Sequence, residues 1–146
     1  MKVLQATPGK LERLISGVSR KRLTRRPAPG KWSVLEILVH LCDDEIVIGW
    51  RLRMIITRPG VRITSFNQED WANDFKYRRQ NVADSLSLFR YLRKSNLTLL
   101  RLVSKQKLKA AHGLHEERGK ETVSYFIRLT AGHDLNHLFQ IRRILK

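Results

Sequence analysis

Cysteine is nearly missing from these 146 residues, where Cys42 stands alone. One thiol excludes an internal disulfide framework and any zinc site built on several thiolates, and it suits a reducing compartment. Long apolar runs are missing as well. No stretch approaches the roughly 20 residues that span a bilayer, and the opening MKVLQATPGK lacks the apolar segment of a secretory signal. A soluble, cytoplasmic protein with no membrane partner is therefore expected. Proline and glycine are sparse, at four and eight, and neither an internal repeat nor a low-complexity tract interrupts the chain. A single domain over residues 1–146 follows, with 42% hydrophobic residues to fill one core. Acidic residues are outnumbered, 13 against 29 basic ones, for a net charge of +16. That balance favours anionic partners, whether a small-molecule substrate or a polyanion, without choosing between them.

Alternating strand patterns are also lacking, which leaves helices as the building material. Thr7 and Pro8 read as a cap and first helical residue, followed by Leu11, Leu14, Ile15 and Val18 at helical spacing. A basic linker, SRKRLTRRPAPGK, occupies residues 19–31. The second helix begins with a capping box from Ser33 to Glu36, stapled by Trp32 and Ile37, and runs to about Thr57, where Arg58, Pro59 and Gly60 end it. A long connection with the partly helical stretch NQEDWANDF leads to a third helix outlined by Val82, Leu86, Phe89, Leu92, Leu99, Leu100 and Val103. The segment KLKAAHGLHEERGK reads as a loop that exposes His112 and His115. A fourth helix spans Thr122 to Leu145. The expected fold is all-α, a four-helix bundle with one long connection between helices 2 and 3.

Chemistry concentrates in HDLNH, residues 133–137. His133 and His137 fall in the same sector as Val123, Phe126, Thr130, Ile141 and Ile144, so both face the other helices. Imidazoles four residues apart can grip one metal ion, although two core histidines satisfied by neighbouring hydrogen-bond partners would show the same pattern. The zinc-peptidase pattern His-Glu-x-x-His does not apply. Asp134 is a methylene shorter than glutamate, and only nine residues follow His137, too few to supply a downstream ligand. The upstream candidate is His40, at the margin of the stripe formed by Val34, Ile37, Leu38, Leu41, Ile48 and Leu52. A half-exposed edge histidine is its ordinary alternative. Three imidazoles on two helices would leave coordination positions open, as catalytic metal sites do.

The segments RPAPGKWSVLEILVHLCDDE and LTAGHDLNHLFQIRRIL resemble the DinB-like superfamily of small four-helix proteins, which includes YfiT-type proteins described as metal-dependent hydrolases. Three separated elements agree: PAPGKWS, a histidine seven residues after its serine, and His-x-x-x-His near the carboxyl end. The resemblance implies an up-down-down-up bundle, commonly a homodimer, with a divalent metal held by His40, His133 and His137. Nickel and zinc are the metals it suggests. Some relatives are thiol transferases that use a low-molecular-weight thiol, so hydrolysis and thiol transfer are both implied.

Three polar residues join the histidines as catalytic candidates. Asp44, one turn after His40, can accept that ring's second N–H or hold a water. Gln140, one turn after His137, can bind substrate. Asp134 sits in an apolar sector where a lone carboxylate is costly, so it either orients a ligand imidazole or pairs with a buried cation such as Arg93. Cys42 reads as packing. A competing reading takes the runs SRKRLTRR, FKYRRQ and FRYLRKSN as a basic surface for nucleic acid or another polyanion, with the metal structural or absent. None of these runs forms a helix-turn-helix or other reading motif, which leaves nonspecific binding as its content.

Overall fold

A computed structural model describes residues 1–146. In chain order it contains α1 (Lys2–Ile15), α2 (Arg20–Thr24), α3 (Val34–Thr57), β1 (Val61–Ile63), α4 (Gln68–Asp74), α5 (Val82–Leu102), α6 (Lys105–Ala110), β2 (His112–His115), β3 (Gly119–Thr122) and α7 (Val123–Ile144). The four long helices α1, α3, α5 and α7 form the bundle, each packed on two neighbours. On α3, Cys42 meets Ser85 of α5 while Arg53 meets Asn96, so numbers rise together and these two helices are parallel. His40 meets His133 and His137 while Leu52 shares a cluster with Phe126, so α7 runs against α3. On α1, Leu4 and Glu12 meet Arg93 and Arg90, which sets α1 against α5. The bundle is therefore up-down-down-up, and the long connection exists because parallel neighbours cannot be joined by a tight turn.

The capping box forms as the sequence requires. The Ser33 hydroxyl accepts from the Glu36 N–H at 3.3 Å, and the Glu36 carboxylate accepts from the Ser33 N–H at 2.8 Å. Two apolar clusters fill the bundle: one around Leu11, Ile37, Leu41, Phe89 and Leu138, the other around Leu52, Ile55, Leu100 and Phe126. A buried polar layer of Glu45, Arg93, Asn96 and Asp134 joins α3, α5 and α7. No helix is long and apolar enough to cross a membrane.

Several local expectations are corrected. The first helix starts at Lys2, and Pro8 lies inside it. The amide that Pro8 lacks would have served the Leu4 carbonyl, which instead accepts a hydrogen bond from Arg93 Nη1 at 2.9 Å. A tertiary donor thus stands in for a lost helical one. The basic linker carries α2, capped by Ser19. Strands do occur: β1 pairs parallel with β2, and β2 antiparallel with β3. They are only three or four residues long, too short for a period-two signal to show. His115, expected on a surface loop, is buried on the inner face of β2, whereas His112 is half-buried. On that same face, a Cβ at Gly113 would stand 2.3 Å from the Ile63 Cδ1 atom, so a larger residue there would have to displace the Ile63 and Ile55 side chains.

Candidate metal centre

Capping of α3 at Ser33 sets the phase of the helix that carries His40, and the antiparallel approach of α7 brings HDLNH alongside. The Nε2 atom of His133 lies 3.0 Å from His40 Nε2 and 3.0 Å from His137 Nε2. Ligand atoms of all three rings fall within 4.8 Å of one another. Two imidazole nitrogens bound to one ion at about 2.1 Å can stand no farther apart than about 4.2 Å, so the 3.0 Å pairs fit a common ion. His40 is buried outright, a correction to its expected place on the helix margin, because Trp32 covers it with ring centroids 4.9 Å apart.

The outer nitrogens differ in their partners, and one of them is hydrogen-bonded. Gln140 Oε1 lies 2.9 Å from His137 Nδ1, and Asp44 Oδ2 lies 3.1 Å from His133 Nδ1. The Gln140 oxygen accepts the His137 Nδ1 hydrogen in the tautomer that leaves the His137 Nε2 lone pair pointing inward, while Asp44 is a close charged neighbour of His133. His40 Nδ1 is buried without a partner. Asp44 lies nearer the histidine of the facing helix than the one on its own, its oxygen being 3.8 Å from His40 Nε2.

Electrostatics keep these rings uncharged. Burial pushes His40 down to about 3, and the nearby His133 and His137 push it in the same direction. Burial again, with His137 beside it, holds His133 down to about 4. His137 is also lowered by burial, against the opposing pull of Gln140. Neutral rings with Nε2 atoms 3.0 Å apart either share a hydrogen between them or, in the tautomer protonated at Nδ1, turn their lone pairs to a common point that a cation can occupy. Burial first, then the charge of Glu45, raises Asp44 to about 7.

The centre opens on a depression of about 350 Å³ bordered by Lys31, Trp32, Glu69, Asn136 and Gln140 together with His133 and His137. Asp134 turns the other way. Its two oxygens take a forked pair of hydrogen bonds from Arg93, at 2.6 and 3.0 Å, and Glu45 lies 2.9 Å from the same guanidinium. Cys42 is buried, and burial followed by the Asp43 charge pushes its thiol up to about 12, which removes it as a nucleophile. Sequence reasoning missed Trp32 as the cover of His40 and the buried Tyr77 hydroxyl that donates to Asp43. Their only sequence signal was proximity to the capping box for Trp32; none marked Tyr77.

The family model described as "DinB superfamily" matches residues 4–141. The protein named "Putative metal-dependent hydrolase OB0782" of Oceanobacillus iheyensis is 26% identical over 143 residues, covering 98% of this chain and 82% of its own. "Putative metal-dependent hydrolase YfiT" of Bacillus subtilis is 23% identical over 146 residues, at 99% and 81% coverage. The solved structure of that YfiT superposes with a TM-score of 0.89 at 22% identity, covering 98% of this chain and 82% of that one. It is described as having an unusual four-helix bundle topology, and the likeness establishes the fold.

Proposed function

This chain belongs to the DinB superfamily, and on that footing we propose that it is a metal-dependent hydrolase whose divalent ion is held by His40, His133 and His137. The observation that carries the reading is the convergence of three neutral Nε2 atoms, two pairs of them at 3.0 Å, beside an open polar depression. Three imidazoles suit nickel or zinc. Such an ion, when bound, acidifies water and polarises a carbonyl or phosphoryl oxygen.

The chain's own residues supply the rest. Asp44, with its oxygen 3.1 Å from His133 Nδ1 and 3.8 Å from His40 Nε2, is the carboxylate placed to take a proton at this centre. Its contact with His133 Nδ1 also fixes that ring. Gln140 orients His137 and lines the depression, where Asn136 and Lys31 can hold polar or anionic parts of a substrate. Asp134 acts at one remove, by anchoring α7 to Arg93.

Elemental mass spectrometry on tag-free protein, beside His133→Ala, tests the proposal. The expected result is about one equivalent of a transition metal, lost in the variant, with hydrolysis of p-nitrophenyl esters abolished by chelation and restored by nickel or zinc. A protein that stays metal-free after reconstitution would overturn it. Metal with no hydrolysis, but with transfer of a low-molecular-weight thiol, would replace hydrolase by thiol transferase at the same centre.

A further inference from the structure

A second recess lies farther along the helix that carries His40. Residues His40, Asp44, Val47 and Arg51 recur at intervals of three or four, so they share one face of α3. Where that face meets β1 and α4 there is a recess of about 310 Å³, at the lower end of the range for small-molecule sites. Trp50, Met54, Phe66 and Trp71 wall it, Arg51 and Arg62 contribute its charge, and no acidic residue lines it.

Arg51 is the unusual member. Only 9% of it is exposed, yet its guanidinium makes one hydrogen bond, from Nη2 to the Thr64 carbonyl at 2.6 Å. No carboxylate lies within 4.0 Å. Burial lowers its affinity for its proton; Glu121, Asp44 and Glu116 attract it from farther off, and Arg118 repels it. No Arg51 nitrogen is a buried atom left without a partner, so the N–H groups not bonded to Thr64 reach the open recess and are free to meet an anion there.

We infer that this recess binds an organic carboxylate with an aromatic or branched apolar body, its acid group on Arg51 and its body against Trp50, Phe66 and Trp71. The guanidinium fork matches a carboxylate in two parallel hydrogen bonds, and the apolar walls favour one charge over a dianion such as phosphate. Arg51 stands seven residues past Asp44, about 10 Å along α3. On the hydrolase reading the acid therefore marks the end of the substrate remote from the reacting bond. That placement rests on the reading; binding in the recess does not.

Calorimetric titration of the metal-free full chain with 4-phenylbutyrate, and with 4-phenylbutanol as the uncharged control, tests the inference. The acid is expected to bind at one site and about tenfold or more tighter than the alcohol. Arg51→Gln should remove that preference, and Trp50→Ala should weaken both ligands. Trp50 is 63% exposed, so its variant keeps the test alive should Arg51→Gln fail to fold. His133→Ala should leave the affinity unchanged, which separates this recess from the metal centre and its own test. Equal binding of acid and alcohol, no saturable binding at millimolar ligand, or loss of binding in His133→Ala would each overturn the inference.

Discussion

Replacing Asp134 with asparagine removes one charge from the middle of the bundle while keeping its shape. Asp134 is fully buried, and both of its oxygens accept from Arg93, at 2.6 and 3.0 Å. Breaking a buried ion pair by removing one partner costs about 3–5 kcal/mol when the other charge is stranded. Here Glu45, 2.9 Å from the same guanidinium, keeps a counter-charge in place, so the lower end applies. The expected loss is about 3 kcal/mol, a large share of the roughly 5–15 kcal/mol that stabilises a domain. At about 2.1 cal/mol/K of unfolding entropy per residue, 146 residues give about 0.3 kcal/mol/K, so the midpoint should fall by about 10 °C. Urea unfolding and a thermal melt followed by circular dichroism would measure both. Arg93→Met should be worse, because it strands Asp134, Glu45 and the Leu4 carbonyl that Pro8 leaves without a helical donor. Metal content of Asp134→Asn should match that of the parent. A variant within about 1 kcal/mol of the parent, or one that folds as well but loses its metal, would refute the assignment of Asp134 to the ion pair.

Gln140→Ala should weaken metal affinity by about 10- to 100-fold in a chelator competition, since it removes the acceptor that fixes the His137 ring. Unchanged affinity would show that the packed helix alone sets that ring. Gly113→Ala should lower stability by about 1–3 kcal/mol in urea, because the new methyl group overlaps Ile63 and Ile55; a neutral result would mean that the sheet shifts freely. Glu36 should give a pH signature. Burial opposes its ionisation, but hydrogen bonds from Arg26 and Ser33 prevail and hold its carboxyl below the ordinary value of 4.5. A folded value below the unfolded one stabilises the fold in full above about pH 4.5, and this contribution is lost as pH falls through the folded value. Unfolding free energies of Glu36→Gln and the parent should therefore converge as the medium is acidified from neutral pH, and parallel curves would count against the capping carboxylate.

Local signals in the sequence were read most reliably. Ser33 and Glu36 announced the start of α3 because a capping box is made by residues three apart, and the four apolar stripes announced four helices because their period is a property of the segment itself. Pro8 misled for the same reason. Its ring argues for a helix start, and only a guanidinium from α5 makes an interior proline acceptable at the Leu4 carbonyl. The three short strands escaped for two reasons: β1 is held by a partner some fifty residues away, Ile63 with His115, while β2 and β3 form a local hairpin whose four-residue strands are too short to show a period of two.

What the sequence determined by itself was the alignment of residues within each element. His133 and His137 share a face because four residues make about one helical turn, and His40 and Asp44 share another for the same reason. What only the tertiary structure decided was which faces meet. His40 and His133 are 93 positions apart, and nothing local places their ring nitrogens 3.0 Å from each other. That approach depends on the parallel packing of α3 with α5, on α7 returning antiparallel to α3, and on Trp32 closing over the imidazole. Asp134 likewise became a structural anchor, and Arg51 a buried cation without a paired carboxylate, only through contacts with other helices and strands. Periodicity is local and survives in any fragment of the chain, whereas partners across the bundle exist only once the whole core has closed.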